Sequence, residues 1–301
     1  MGEKRELPLW RSMLFVPAIA RKFVEGAAKR GADAIILDLE DSVPPAEKPR
    51  ARSVLQEAAD IAAQGGADIV VRINRPLRLA IPDIEAAISA RVTALALPKI
   101  ESASHVQLLA EVAAEIEAER GLAEGHTRFL AMVETASAFF RLEEIARAHA
   151  RVVAMTLGAE DFATSVGMVP EAEFLFFPKQ QMVIAARAGG IMPMGFVGSI
   201  AEFRDLDAFR TTIRRSRRLG FVGAPCIHPS QVPILNQEFA PSAEEVAHAE
   251  RVVAAYEKAT AEGVGAIQID GRMIDVPIVE RAQALLARQR TISAREAARK
   301  T

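Results

Sequence analysis

Apolar residues along the chain fall into short runs, separated by longer segments whose apolar positions recur at helical period. The runs Met13–Pro17, Ala34–Glu40, Ile69–Asn74, Ala94–Lys99, Phe129–Glu134, Val152–Gly158, Met194–Gly198 and Val222–His228 predict strands. Most are continuously apolar rather than alternating, as parallel strands covered on both faces require. The stretches between them read as helices. Ser104–Arg120, for example, puts Val106, Leu109, Val112 and Ile116 on one face. Gly31, Gly65-Gly66, Gly121, Gly189-Gly190 and Gly220 each stand shortly before a strand, where a helix end favours positive φ. This alternation predicts an α/β fold, a (β/α)8 TIM barrel over residues 11–240, near the ~250 residues usual for that architecture. A doubly wound open sheet is the alternative, but no Gly-rich turn follows the first strand.

Beyond the barrel the pattern changes. Pro241–Glu245 predicts a capping box, with Ser242 as N-cap and Glu245 at N3, and Val246, Ala249, Val253 and Tyr256 continue an apolar helical face. A break at Gly263–Gly265, a strand-like run Ala266–Ile269, a turn at Asp270-Gly271 and a helix from Pro277 to Arg290 follow. Residues 241–290 therefore predict a C-terminal helical extension or lid, packed on the barrel or reaching a neighbouring subunit. The polar residues 291–301 predict a frayed tail.

Composition narrows the class. Half of the 301 residues are apolar and a quarter charged, as in a soluble enzyme, and the formal net charge of -2 gives no footprint for nucleic acid or a membrane surface. No apolar run reaches the ~18 residues of a transmembrane helix. The N-terminal segment MGEKRELPLW lacks the apolar stretch of a secretory signal. One cysteine, Cys226, makes neither an internal disulfide nor a zinc knuckle, so a reducing, cytoplasmic setting is expected.

In a barrel, catalytic groups gather at the C-terminal ends of the strands. That rule selects Asp38, Glu40 and Asp41 after the second strand, Arg72 and Asn74 after the third, and Lys99 and Glu101 after the fourth. It also selects Glu134 after the fifth, Glu160 and Asp161 after the sixth, and His228 after the eighth. Such a mouth suits a small, oxygen-rich anion. Glu134 and Asp161 follow consecutive strands, and two close carboxylates repel unless a proton or cation lies between them. Mg2+ would serve, as it commonly takes one or two protein carboxylates; the alternative is that each caps a helix or pairs with an Arg. Arg72 is a fork suited to a carboxylate, or a structural partner of Glu40 or Asp41. Lys99 is either an imine-forming amine or an ion-pair partner of the acids around it. The run Arg214–Arg218 ends a helix and reads as a solvated face. Ser165, Ser199 and Cys226 lack a nucleophile-elbow context.

The segments RSMLFVPA, GADAIILDLEDSV, VVRIN, LPKIES, MVETASA, LGAEDFA, APCIHPSQV and DGRMIDVP occur in this order. They resemble the citrate lyase β-subunit-like branch of the HpcH/HpaI aldolase family, over about Arg11 to Arg290. The resemblance implies a (β/α)8 barrel, trimeric or hexameric, that makes or breaks a C–C bond with Mg2+ held by Glu134 and Asp161, Mn2+ being possible. It implies that Arg72 contacts the substrate, with Glu134, Gly158 and Ala159 beside it, and that Asp275 is a catalytic acid–base contributed by a neighbouring subunit. Glu40 and Asp41 are expected to orient Arg72 or metal-bound waters. The partners implied are a 2-oxo acid such as glyoxylate or pyruvate and an acyl-CoA.

The chain departs from that pattern in two places. Ala18 replaces a glycine of the first loop, and Phe23 and Gly26 stand where CoA-using relatives often carry cations. Arg21 and Lys22 are the possible CoA contacts instead. The seventh-strand segment IMPMGFVGSI lacks the acid of the IDGVYTD version. The leading expectation is a Mg2+-dependent lyase of a β-hydroxyacyl-CoA such as malyl-CoA, citramalyl-CoA or citryl-CoA. Its rivals are the same chemistry on a CoA-free 2-oxo acid aldol, a Schiff-base aldolase using Lys99, and a non-catalytic subunit of a lyase complex.

Overall fold

The computed structural model describes residues 6–200, 204–263 and 265–299. Outside them lie half of the N-terminal segment, residues 201–203, the middle of the Gly263–Gly265 break and the last two residues of the tail. The chain forms two compact units, residues 1–239 and 240–301.

In the first unit the strands are β1 (Ser12–Pro17), β2 (Ala34–Asp38), β3 (Asp68–Arg72), β4 (Val92–Leu97), β5 (Arg128–Val133), β6 (Val152–Leu157), β7 (Met192–Met194) and β8 (Ala224–Cys226). They form one parallel sheet in the order β7-β6-β5-β4-β3-β2-β1-β8. A bridge between Met194 and Gly223 joins its ends, with Gly195 N–H donating to Gly223 O at 2.8 Å. The expected (β/α)8 barrel is thus the fold. Helix α1 (Arg21–Ala27) follows β1, and α2 (Lys48–Ser53) and α3 (Leu55–Ala63) follow β2. Next come α4 (Leu77–Ala87) after β3, α5 (Ala103–Glu119) after β4, and α6 (Ala136–Phe139) and α7 (Leu142–Ala146) after β5. Then α8 (Ala159–Val166) and α9 (Ala172–Ala188) follow β6, α10 (Leu206–Arg218) follows β7, and α11 (Gln231–Glu238) follows β8.

The continuous apolar runs resolve into two faces, because successive strand residues point opposite ways. Ile35, Leu37, Ile69, Val71, Leu95 and Leu97 join the core between sheet and helices. Ala34, Ile36, Val70, Ala94, Ala96, Leu130, Met132 and Ala154 fill the barrel interior, with Trp10 and Met13. Extending each interior series by steps of two reaches Asp38 on β2 and Glu40 just past it, Arg72 on β3, Glu134 just past β5, and Thr156 on β6 with Gly158 just past it. The polar site therefore continues the inward-facing parity of the core.

The opposite ends of the same strands carry ion pairs that tie the shell together. Arg151, just before β6, forks onto Glu117 of α5 with both N–H···O distances at 2.6 Å, and the Thr127 and Gly125 amides donate to the same carboxylate at 2.7 and 2.9 Å. The arginine run of α10 is not simply a solvated face: Arg214 and Arg210 both engage Glu238 of α11.

β7 lies two residues before its expected start and is shorter than the run Met194–Gly198 suggests. Gly195, at φ 127°, ends its extended path. Phe196 and Val197 are buried in the loop beyond it, so their apolar character marks a packed loop rather than a strand.

The second unit contains α12 (Ala243–Ala261), the antiparallel strands β9 (Ile267–Ile269) and β10 (Arg272–Ile274), and α13 (Val276–Ala298). Ser242 and Glu245 close a reciprocal capping box at the start of α12. Asp270 and Gly271, with φ of 50° and 76°, turn the hairpin. Ala249, Val252, Ile274, Val279 and Ala282 form its core. Helix α13 continues through residues 291–298, where polarity predicts a frayed tail. Among the described residues no helix is long and apolar enough to cross a membrane.

Candidate active site

A cavity of about 1110 Å³ opens at the C-terminal mouth of the barrel, and Asp38, Arg72, Glu134, Gly158, Ala159 and Asp161 are among the residues that line it. Asp38 and Arg72 are register partners on neighbouring strands. The guanidinium forks onto Asp38 through Nε at 2.7 Å and Nη2 at 2.8 Å, and its Nη1 lies 3.0 Å from Glu40 and 3.2 Å from Asp41. Phe15 of β1 stacks against it, 4.9 Å from ring centroid to guanidinium carbon. Burial alone would raise the Asp38 carboxyl, but the Arg72 hydrogen bonds and charge outweigh it and hold it below the ordinary value. Asp38, not Glu40 or Asp41, is therefore the principal partner of Arg72.

Glu134 is buried, and its Oε2 accepts the Lys99 backbone N–H at 2.7 Å. That amide points inward because Lys99 adopts φ 49°. Burial, then the negative charges of Glu40 and Asp161, push Glu134 up to about 8. Glu40 rises to about 7, chiefly through burial, with Arg72 opposing. Lys99 Nζ lies 3.3 Å from Asp161 and 3.6 Å from Glu40. Burial would lower this ammonium, but Glu40, Asp161 and Glu134 together raise it, which disfavours the neutral amine that an imine needs.

This mouth crowds five carboxylates, those of Asp38, Glu40, Asp41, Glu134 and Asp161, around the two cations Arg72 and Lys99. Glu40 Oε2 is buried and accepts no hydrogen bond despite its closeness to Arg72. Glu134 packs directly against Gly158, where a Cβ would sit 2.7 Å from Glu134 Cγ and Oε1, so only a glycine lets the carboxylate lie there. Crowded, under-bonded oxygen donors that line a cavity fit a hard divalent cation. Among the described residues no three His, Cys, Asp or Glu side chains form a closed metal cage. An ion on only two carboxylates such as these would keep its other positions for water and substrate oxygens.

Further along the wall, Lys22 and Arg30 line the cavity with Phe23 and Gly26. Arg21 instead binds Glu25 at 2.9 Å and Glu57 at 2.6 Å on the exposed flank of α1. His228 lines the cavity too, its Nδ1 2.7 Å from Ser230 Oγ. Asp275 belongs to the second unit; it is half-buried ahead of α13 and its side chain makes no capping bond to that helix.

Sequence reasoning named Asp38 as a strand-end acid but not as the partner of Arg72, and it passed over two residues of this site. Asp38 was legible from parity, two steps beyond Ile36. Arg30 and Lys179 carried no such signal, since each reaches the cavity from a helix or the turn beyond it.

A family model described as HpcH/HpaI aldolase/citrate lyase matches residues 11–229. Citrate lyase subunit beta of Leuconostoc mesenteroides subsp. cremoris is 35% identical over 284 residues, 92% of each chain. The L-malyl-CoA/beta-methylmalyl-CoA lyase of Rhodobacter capsulatus is 35% identical over 300 residues, covering 92% of this chain and 93% of that one. The crystal structure of protein CitE from Mycobacterium tuberculosis, in complex with magnesium, acetoacetate and coenzyme A, superposes with a TM-score of 0.73 at 31% identity. That match covers 95% of this chain and 99% of the other.

Proposed function

The chain belongs to the HpcH/HpaI aldolase/citrate lyase family, and on that premise we propose that it is a Mg2+-dependent carbon–carbon lyase. It cleaves or forms a β-hydroxyacyl-CoA of the malyl-CoA, citramalyl-CoA or citryl-CoA type. The observation that carries this reading is Glu134, buried next to Asp161 and open toward the cavity. Related proteins act on citrate or on malyl-CoA and methylmalyl-CoA by name, and a structural neighbour holds magnesium with coenzyme A.

Glu134 and Asp161 would hold the Mg2+. When bound, the ion polarises the 2-oxo acid's carbonyl as a Lewis acid. Arg72 commits three of its five N–H donors to Asp38 and Asp41, so the fork is fixed in direction and its remaining protons are available to substrate oxygens. Those protons stabilise the negative charge that develops on oxygen, where pre-oriented donors have most effect. Gly158 and Ala159, at the start of α8, bring backbone close to the same point. In the cleavage direction the β-hydroxyl gives up its proton to solvent water, the C–C bond breaks, and the electron pair passes into the thioester enolate. Asp275 of a neighbouring subunit then protonates the α-carbon; in condensation it removes that proton. A cytoplasmic homotrimer or hexamer supplies that neighbour.

Lys22 and Arg30 favour a CoA phosphate end for the cavity. Exposed Phe23 on the same wall favours the second reading, a CoA-free 2-oxo acid aldol. The deciding experiment measures glyoxylate and pyruvate released from malyl-CoA, citramalyl-CoA and the corresponding free acids, with Mg2+ and with EDTA. Metal-dependent cleavage of a CoA ester is expected. Cleavage of the free acids alone would keep the metal chemistry and overturn the CoA assignment.

A further inference from the structure

Lys179, midway along α9, is a buried cation that none of the chemistry above uses. Its ammonium donates to the carbonyl oxygens of Phe196 at 2.6 Å and Gly198 at 2.8 Å, and lies 5.3 Å from the centroid of the Phe196 ring. Both carbonyls belong to the segment after β7, and Gly195, Phe196, Gly198 and Ile200 of that segment line the cavity together with Lys179 itself. Two further bonds fix the same segment. Val197 N–H donates to Ser216 Oγ at 2.9 Å, and Ser199 Oγ hydrogen-bonds Glu160 in the first turn of α8, next to Asp161.

Burying an ammonium is unfavourable unless its protons are bonded, and an apolar side chain of similar length would fill this volume without that penalty. The two carbonyls it satisfies would otherwise be left unpaired inside the protein. The arrangement makes sense if the shape of the loop is what the site needs.

We propose that Lys179 is a positioning residue that clamps residues 195–200 as the strand-7 wall of the substrate cavity and, through Ser199 and Glu160, steadies the helix carrying Asp161. The substrate side of this inference rests on the lyase reading above; the clamp itself does not. Removing the ammonium frees the wall, so substrate affinity falls more than the chemical step.

The test uses the full chain with Lys179→Met, Lys179→Arg and Ser199→Ala, each verified as folded by circular dichroism. Amide hydrogen exchange across residues 196–199 is measured without substrate, and Mn2+ binding by electron paramagnetic resonance. In K179M loop exchange is expected to accelerate roughly tenfold or more, with KM rising more than kcat falls and partial rescue in K179R. In S199A, Mn2+ binding is expected to weaken several-fold while Lys179 stays in place, less than the ~10–100-fold loss on removing a bond made directly to a metal ligand. If K179M does not fold, S199A carries the test. Unchanged loop exchange and KM in folded K179M would overturn the clamp, and unchanged Mn2+ affinity in S199A would overturn the link to Asp161. Faster loop exchange in K179M, with no turnover of any CoA ester by the wild type, would keep the clamp and overturn the lyase reading instead.

Discussion

Strand β5 has a buried glutamate near each end, and the two live in opposite electrostatic worlds. Below it, Glu117 accepts a forked guanidinium from Arg151 and two backbone amides. Burial would raise its pKa, but those four bonds outweigh it and hold the carboxyl below its ordinary value. Above it, Glu134 accepts the Lys99 amide and faces Glu40 and Asp161, and is pushed up to about 8. The lower carboxylate is satisfied by the fold. The upper one is held in place by the fold and left electrostatically incomplete, and that incompleteness is what supports the proposal of a cation there.

The largest effect should follow from removing each charge in turn. Glu134→Gln is expected to cut turnover by ~10³, about 4 kcal/mol of barrier, and to weaken Mn2+ binding, while the metal-free melting temperature holds or rises. Arg151→Met should do the reverse. It strands Glu117 in the interior and costs about 3–5 kcal/mol of stability, with kcat preserved in whatever protein remains folded. Thermal denaturation and turnover measured side by side check both. If E134Q proved strongly destabilising, the contrast between the two ends would be lost.

A smaller effect distinguishes geometry from charge at the mouth. Arg72→Lys keeps the positive charge but loses the fork on Asp38, so kcat/KM should fall by about 10². Melting temperature should move little, because an ammonium still faces Asp38 and Glu40. A variant as active as the wild type would mean that the fork has no part in the reaction.

The pH dependence should separate the two ends again. A raised carboxyl pKa means that the folded state holds a proton the unfolded chain releases, so stability falls with rising pH between the two values. Between about 4.5 and about 8, the range spanned by the ordinary and the raised pKa of Glu134, the metal-free wild type should lose stability relative to E134Q. Glu117 acts the other way: its contribution is present above the unfolded value and is lost as pH falls through the folded one. Because the metal displaces the proton on Glu134, Mn2+ affinity should climb by up to ~10-fold per pH unit as pH approaches 8. Titration of Mn2+ at several pH values reads this directly.

How much of this was legible beforehand depends on what each residue type can signal locally. Continuous apolar runs located β1 to β6 within about two residues, since parallel strands must be apolar on both faces. The same cue failed at β7, where Phe196 and Val197 are buried in a loop, because apolarity reports burial and not extension. Charged residues at strand ends brought out Arg72, Glu134 and Asp161. The pairing of Arg72 with Asp38 required parity and register together, which a search for strand-end acids does not use. Lys179 and Arg30 were illegible for a different reason: each reaches the cavity through tertiary packing that no spacing in the sequence encodes.

The finest distinction between the two ends of β5 lies in the space around each glutamate rather than in its charge. Glu117 is enclosed by its partners, whereas Glu134 has Gly158 beside it, where a Cβ would come within 2.7 Å of Cγ and Oε1. The obstructing atoms belong to a side chain whose position is set by the Lys99 amide, so it can yield only by weakening that bond. Gly158→Ala should therefore rotate the carboxylate rather than disrupt the strand, and Gly158, at φ −69°, already has backbone angles an alanine accepts. Stability should fall by about 1–3 kcal/mol, the usual penalty for an added methyl in a packed site. Metal affinity should fall roughly tenfold, as for other disturbances around a ligand. The informative comparison is G158A in the E134Q background. If the glycine is there to seat the carboxylate as a metal ligand, the alanine should add little further loss of Mn2+ affinity there. If it instead serves backbone packing, the two losses should add in full.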